Sequence, residues 1–208
     1  MSRLALVISV VLVSFNSAHA FELKPVVGIN LGSSKVSPEA ASTTYGGRNG
    51  LLLGALMEVG LIPGLFALEF GALRVPYGSS AVTTSGASIT TVEASWSVIQ
   101  LPLVLRMTAL PIVSFGAGPY MGFALGQVST TISGTGLTTT SSDSDLTSAA
   151  KTDFGALLSC AAKFPLLPLV DFLFDARLLV GFKNLTDAAG SSVKINHIQM
   201  MAGAAIGF

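Results

Sequence analysis

The chain has 208 residues, of which half are apolar and only 11% are charged, whereas about a quarter of the residues in an ordinary globular protein are charged. Eleven acidic residues balance eleven basic ones, so no net charge is present to attract nucleic acid. Because a soluble surface with so little charge tends to associate, the composition favours a surface that faces lipid. Cys160 is the single cysteine, which excludes an intramolecular disulfide.

Residues 1–20 have the form of a secretory signal peptide. Arg3 precedes an almost unbroken apolar run from Leu4 to Phe15, and Ala18-His19-Ala20 has the small-x-small form of a signal peptidase site. The run is shorter than the roughly 20 residues that a membrane-spanning helix needs. We therefore expect cleavage after Ala20 and a single mature domain, residues 21–208. An uncleaved N-terminal anchor is the alternative.

Beyond the signal, no apolar stretch is long enough to span a bilayer as a helix, since charges and Gly, Pro or Ser interrupt each one. The bilayer then allows only a closed barrel, in which every backbone group is hydrogen-bonded between strands. Eight segments alternate with period two, placing apolar residues on one face and glycine or charge on the other. These segments are residues 21–31, 50–61, 65–75, 94–108, 113–127, 152–164, 171–183 and 197–208.

The pattern predicts an all-β fold, an eight-stranded antiparallel transmembrane β-barrel whose apolar face meets lipid. A soluble sandwich or lipocalin-like barrel is the alternative, but its outer face would carry many charges. Short connections with proline alternate with long polar ones at about 32–49, 78–93, 128–151 and 186–192. Long loops are typical of the external side, so both termini are expected in the periplasm. The Ser/Thr-rich loop 128–151 is not expected to order by itself.

The strands direct a set of charges into the lumen. Pairing across the Pro63-Gly64 turn places Glu58 opposite Glu69, and two facing carboxylates repel unless they are neutralised. Arg106, Asp175 and Arg177 also face inward. We interpret these five residues as a structural plug, because side chains fill the interior of an eight-stranded barrel. A proton or ion path is the alternative.

Two residues outside the lumen are also candidates for a role. Arg74 has the parity of the lipid face and lies at the height of the outer interface, where lipopolysaccharide phosphates would be available. A register shift or bulge near Pro76 would explain its parity equally well. Phe208 ends an alternating strand, which resembles the terminal signal recognised by the barrel assembly machinery.

The sequence contains few groups of residues that could form a catalytic or metal site. His197 is the only histidine of the mature chain, and a triad with Asp187 and Ser191 or Ser192 can be drawn by hand. Loop residues near one histidine are expected by chance, so we predict no catalytic residue and no enzyme activity. One histidine and one cysteine without paired spacing predict no metal site. No cofactor is expected.

Several short motifs carry a resemblance to a known family. They are WSVIQLPLVLR at Trp96 to Arg106, GAGPYMG at Gly116 to Gly122, Asp153-Phe154-Gly155, DARLLVGFKNL at Asp175 to Leu185, and the terminal Gly207-Phe208. In these stretches the chain resembles the PorT-type, porin-like outer-membrane β-barrel family, whose layout is similar to that of the small eight-stranded barrels. The family often has tyrosine where this chain has Leu178. The resemblance implies a membrane barrel and supplies no catalytic residue.

The sequence thus predicts a multi-pass protein of the Gram-negative outer membrane, with a plugged lumen and a structural or surface-interaction role. The expected partners are outer-membrane lipid and lipopolysaccharide, the barrel assembly machinery and an unidentified extracellular or envelope protein. A narrow porin or channel for small solutes or ions is the alternative function. An outer-membrane enzyme acting on lipid is the third.

Overall fold

The computed structural model describes residues 21–37, 42–135, 137–146, 150–185 and 192–208. The predicted signal peptide, Asp187 and Ser191 lie outside these residues. Within them, no helix is long and apolar enough to cross a membrane. The described residues form ten strands: β1 (Phe21–Ser37), β2 (Thr43–Gly47), β3 (Asn49–Ile62), β4 (Phe66–Ser85), β5 (Ser88–Leu110), β6 (Val113–Gly134), β7 (Leu137–Ser144), β8 (Thr152–Leu167), β9 (Val170–Gly181) and β10 (Ser192–Gly207).

Eight of these strands close into an antiparallel ring. Its order is β1, β3, β4, β5, β6, β8, β9 and β10, and β10 pairs back onto β1. Each of the eight predicted segments overlaps one strand of the ring, but β1, β4, β5, β6 and β10 run five to ten residues further than predicted on the side of the long connections. The predicted fold class, an eight-stranded antiparallel barrel, is therefore confirmed.

The register around the ring shows how the barrel closes. Followed from strand to strand through paired residues, one circuit that starts at Phe21 returns to β1 at Leu31, ten residues further along. A sheet with such a stagger closes only when its strands tilt against the barrel axis. The residues between these two are all apolar: Val59, Leu68, Leu105, Ala117, Leu158, Leu178 and Ile198.

The interior is a packed core. Alternation sends large apolar side chains inward as well as glycines and charged side chains. Leu52, Leu56 and Leu73 are completely buried there. The larger interior cluster also contains Val26, Val75, Tyr77, Val98, Ala161, Leu173, Leu185, Ile195 and Met201, and a smaller one contains Val104, Tyr120, Leu157 and Leu179. Side chains thus fill the lumen, as expected for a ring of only eight strands.

Strand pairing extends past the ring on the side of the long connections. β4 and β5 stay paired from Gly78–Ser95 up to Ser85–Ser88, where Gly86 turns the chain with a φ of 59°. Only glycine adopts such a φ at no steric cost.

The Ser/Thr-rich segment within 128–151 joins the same extension, because β6 continues along β5 and β7 pairs with β6. β2 completes it by pairing with β4. The composition of these segments predicts loops, and this prediction is wrong for the described residues. They form strands because the edge of a neighbouring strand supplies hydrogen-bond partners for their backbone. Threonine favours the extended conformation, so these segments form strands without an apolar face.

Candidate functional site

Eight charged side chains meet inside the ring, and together they form the lumenal charge cluster. Six strands supply them, with four carboxylates balanced by four cations, so the cluster as a whole is neutral. The members are Glu22 and Lys24 from β1, Glu58 from β3, Glu69 from β4, Arg106 from β5, Lys163 from β8, and Asp175 and Arg177 from β9.

Glu69 is the centre of the cluster and is completely buried. Arg106 contacts it at two points, with Nε 2.8 Å from Oε2 and Nη2 3.0 Å from Oε1. Arg177 donates from Nη2 to Oε1 at 2.7 Å, and Lys24 donates from Nζ to Oε2 at 2.9 Å. One carboxylate thus binds three cations, each from a different strand. Such charge-assisted bonds are the strong ones in a protein interior.

Asp175 binds the two arginines from the other side. Arg106 Nη2 lies 2.5 Å from Asp175 Oδ2. Arg177 reaches the same oxygen from Nη2 at 2.7 Å and from Nε at 3.0 Å. Both guanidinium groups therefore bridge Glu69 and Asp175, which ties β4, β5 and β9 together across the lumen.

The remaining members extend the cluster toward β1 and β8. Glu58 stands directly opposite Glu69 in the β3–β4 register, and Lys24 bonds to both carboxylates. Lys163 donates from Nζ to Glu58 Oε1 at 3.0 Å and to Glu22 Oε2 at 2.5 Å. The repulsion expected between the facing glutamates is therefore offset by lysines from two other strands.

The structure brings together all five lumenal residues named from the sequence, and it adds Glu22, Lys24 and Lys163. Alternation alone already turns these three side chains inward. Their contact with the other five depends on the ring's stagger, which sets the height of each strand against strands distant in sequence. A search for inward charges a few residues from a short turn would have found Lys163.

A second polar group occupies the lumen further toward the long connections. Tyr77 and Tyr120 each donate a hydroxyl hydrogen bond of 3.1 Å to Asp153 Oδ2. A Cβ on Gly155 would lie 2.7 Å from the Tyr120 ring, so only glycine at this position leaves enough space for the ring. His197 is buried here as well, and its ring lies 4.2 Å from that of Tyr77 between centroids.

Amide side chains complete this layer. Nδ1 of His197 lies 3.1 Å from Nδ2 of Asn30. Gln199 Nε2 donates to Gln100 Oε1 at 3.0 Å and so joins β10 to β5 across the lumen. Tyr77 and Tyr120 of this layer also belong to the two apolar clusters of the interior. Among the described residues, Asn30 Oδ1, Gln100 Nε2, His197 Nε2 and Gln199 Oε1 are buried without a hydrogen-bond partner.

Arg74 lies on the outer face of the barrel and is exposed. It pairs with Leu53 on β3 and with Ile99 on β5. The β4–β5 ladder continues through Pro76 without a shift, whereas the partners on the other side of β4 change register by one residue between Leu53–Arg74 and Gly47–Ser79. Its Nη2 lies 3.4 Å from Ser97 Oγ.

Phe208 is 71% exposed at the edge of the ring. Its N–H donates to the Phe21 carbonyl at 3.0 Å, and the two rings lie 6.0 Å apart. The last residue is thus bonded to the first residue of β1.

The outward face of the ring is an apolar belt. Leu51 is 73% exposed and Leu158 is 58% exposed, and the side chains around them are of the same kind. The other large members include Val27, Leu53, Phe70, Leu103, Leu105, Phe115, Met121, Phe123, Phe154, Phe172, Phe174, Leu178, Val180, Ile198 and Met200. A soluble barrel would place charges on this face. A closed barrel with an apolar outside and its backbone paired spans a membrane.

Solved outer-membrane barrels have similar structures. OprG of Pseudomonas aeruginosa aligns with a TM-score of 0.54 and 14% identity, over 92% of this chain and 96% of that one. Ail, the attachment invasion locus protein of Yersinia pestis, aligns with a TM-score of 0.47 and 10% identity, over 89% and 99%. Neisserial surface protein A gives 0.42 and 11%, over 91% and 97%.

No protein-family model matches the sequence, and no curated protein matches it. The similarity to OprG, together with the closed ring and the apolar belt, gives the fold. The chain has the fold of a small outer-membrane β-barrel.

Proposed function

We propose that the protein is a closed barrel of the Gram-negative outer membrane with a structural or surface-interaction role. The observation that carries this proposal is the lumenal charge cluster, in which the one carboxylate of Glu69 contacts Lys24, Arg106 and Arg177. Paired, buried charges are held far more firmly than solvated ones, because separating them leaves a charge without compensation. Apolar clusters pack the rest of the lumen. Such an interior favours a plug over a path for ions or solutes.

The surface role is supported by the paired strands beyond the ring. β2, β7 and the adjoining parts of β4, β5 and β6 carry mostly serine, threonine and glycine. Long extensions are typical of the external side, so we place both termini in the periplasm. The extension would then face an extracellular or envelope partner, while the apolar belt contacts outer-membrane lipid.

Among outer-membrane barrels, the short motifs favour a relationship to the PorT-type family, although this chain has Leu178 where that family often has tyrosine. We propose no enzyme activity. His197 is held by Asn30 and Tyr77 inside the packed lumen, where a lipid substrate would have to displace side chains to reach it.

Phe208 is proposed to serve as the assembly signal. Its backbone bond to Phe21 closes the seam of the ring, while its exposed ring is free for recognition. Replacing Phe208 with aspartate keeps the backbone bond and should reduce insertion into the outer membrane, with export across the inner membrane intact. Membrane fractionation measures both. Phe208→Tyr is the matched control, and unchanged outer-membrane levels of the aspartate variant would count against the proposal.

Conductance of the refolded protein in planar bilayers tests the plug directly. The wild type is expected to show no steady conductance, because the lumenal charge cluster and the apolar clusters fill the interior. A variant with Glu69→Ala, Arg106→Ala and Arg177→Ala removes the core of the cluster and should admit ions if it still inserts. Heat-dependent electrophoretic mobility shows whether the barrel has formed.

Steady, ion-selective conductance in the wild type would contradict the plug and favour the narrow channel. Absence of conductance in both proteins, with the variant folded, would mean that the apolar clusters alone close the lumen. The charge cluster would then not be the feature that seals the barrel.

A further inference from the structure

The three short turns of the ring have apolar tips. The tip residues are Pro63, Gly64 and Leu65 between β3 and β4, Pro111 and Ile112 between β5 and β6, and Pro168 and Leu169 between β8 and β9. Turns that face water usually contain asparagine, aspartate or serine beside glycine and proline, because those side chains hydrogen-bond the turn backbone. Leucine or isoleucine at every tip therefore indicates a surface that something covers.

The residues next to the tips are apolar as well, and none in 61–66, 109–113 or 164–170 is charged. The apolar crown, as we call this surface, consists of nine large side chains that are 41% to 71% exposed: Leu61, Ile62, Leu65, Leu110, Ile112, Leu166, Leu167, Leu169 and Phe208. The three hairpins and the β10–β1 seam follow one another around the ring, so the crown encircles this end of the barrel. Exposed apolar surfaces of this extent mark interaction sites.

Backbone hydrogen bonds hold the crown in one shape. Three bonds of 2.9 Å join each turn to the next strand of the ring: Thr108 N–H to the Leu65 carbonyl, Lys163 N–H to the Ile112 carbonyl, and Gly207 N–H to the Leu169 carbonyl. A proline in each tip also fixes one φ angle of the turn. A surface that is already ordered loses little conformational entropy when it binds a partner.

The crown surrounds a small charged mouth. Glu22 and Lys163 lie within a few residues of the ends of β1 and β8 on this side, and Glu58 bonds to Lys163. Their side chains are 11%, 21% and 12% exposed, whereas the other five members of the lumenal charge cluster are at most 2% exposed. This end of the barrel is thus an apolar ring with a polar centre.

Membrane lipid does not account for the crown. On β4, ten residues separate Gly64 from Arg74, which is charged and exposed on the outer face. At a rise of about 3.3 Å per residue and a tilt of about 40°, this distance spans about 25 Å, the full height of an apolar membrane band. The tips therefore lie at the edge of the band and point along the barrel axis, whereas lipid lies beside the barrel.

We propose that the apolar crown docks a folded envelope protein that presents an uncharged, apolar surface to it. Nine large side chains that are about half exposed offer an area of the same order as the roughly 800 Å² that each partner buries in a standard interface. A second copy of the chain is not the partner, because two barrels in one membrane point their crowns in the same direction. The inference rests on the topology proposed above, which places the crown in the periplasm.

The reaction of single cysteines with a small, polar maleimide tests whether water or lipid meets the crown. Leu169→Cys is made in a Cys160→Ser background, since Cys160 is exposed on the outer face. The protein is refolded into lipid nanodiscs, whose two faces are both open to the reagent. Leu169→Cys should react rapidly, whereas Leu158→Cys in the apolar belt should not. Slow reaction at both positions would mean that lipid covers the crown, and it would overturn the proposal.

Isolated native outer membranes then test for the partner. Leu169→Cys should react there at least about tenfold more slowly than in nanodiscs, as expected when nine-tenths of the crowns are occupied. Adding Leu65→Ser and Ile112→Ser should restore the fast reaction. The matched control adds Val92→Ser and Ile132→Ser, which change two exposed apolar residues of the strand extension and should leave the protection intact. Heat-dependent electrophoretic mobility shows that each variant has formed the barrel.

Equal rates for Leu169→Cys in nanodiscs and native membranes would overturn the proposal, and so would protection that survives the two crown substitutions. Intact cells test the topology separately, with a maleimide carried on a large polyethylene glycol that does not cross the outer membrane. This reagent should label Thr84→Cys on the strand extension and spare Leu169→Cys. The reverse pattern would overturn the proposed topology, whereas the rates in isolated membranes would still decide whether the crown has a partner.

Discussion

Replacing Arg106 with alanine is expected to lower the free energy of unfolding by about 3–5 kcal/mol, the usual cost of removing one partner from a buried charge network. Arg106 contacts both Glu69 and Asp175, and its loss leaves the neutral cluster with one uncompensated negative charge. Urea unfolding of the barrel refolded in lipid vesicles measures the change.

A second substitution that restores the charge balance of the cluster should recover part of the lost stability. Adding Glu69→Gln to Arg106→Ala leaves three carboxylates with three cations, so the double variant should be more stable than the single one. Arg74→Ala removes an arginine of the outer face and should cost no more than about 1 kcal/mol. A loss of that small size for Arg106→Ala as well would mean that the cluster is solvated, as in an open pore.

Replacing Leu158 with arginine is expected to destabilise the barrel by about 2–4 kcal/mol, the range found for arginine at the middle of a bilayer. Leu158 is exposed to lipid near the middle of β8, within the apolar circuit that runs from Phe21 to Leu31. An arginine there has no lumenal partner and no nearby headgroup. The same unfolding experiment in vesicles measures this cost.

The control for this substitution is the same change at a position nearer the membrane interface. Leu125 is also exposed on the outer face, but it pairs with Ser97 just before β6 enters the strand extension. Leu125→Arg introduces the same side chain near the interface, where the cost falls to about 0–1 kcal/mol. Equal costs at the two positions would contradict the placement of the apolar belt across the bilayer.

The ring could be predicted from sequence because its signal is local. A strand between lipid and lumen has to alternate, and residues 171–183 display that alternation without reference to any other part of the chain. The Glu58–Glu69 pair was equally accessible, since a tight turn sets the register of its own hairpin. Both inferences need only residues that are close in sequence.

The other features of the fold and the site depend on strand pairings that the spacing of residues in the sequence does not reveal. Lys24 reaches Glu58 and Glu69 because the stagger of the whole ring brings β1, β3 and β4 to the same height. The Ser/Thr-rich β7 became a strand because β6 offers it an edge, and its composition predicted a loop. Large apolar side chains in the lumen, such as Leu56, cannot be told from lipid-facing ones by sequence because both faces of that strand are apolar.

The seam between the first and last strands has a consequence for how the barrel forms. β1 and β10 are paired from Glu22 with Gly207 to Ser37 with Ser192, and these partners are between 155 and 185 residues apart in the chain. Contacts of such high sequence separation form late and slowly. Until β10 is in place, β1 keeps an open edge of unpaired backbone groups, which invites association with other chains. The time between emergence of the first strand and arrival of the last is therefore when this protein most needs a chaperone.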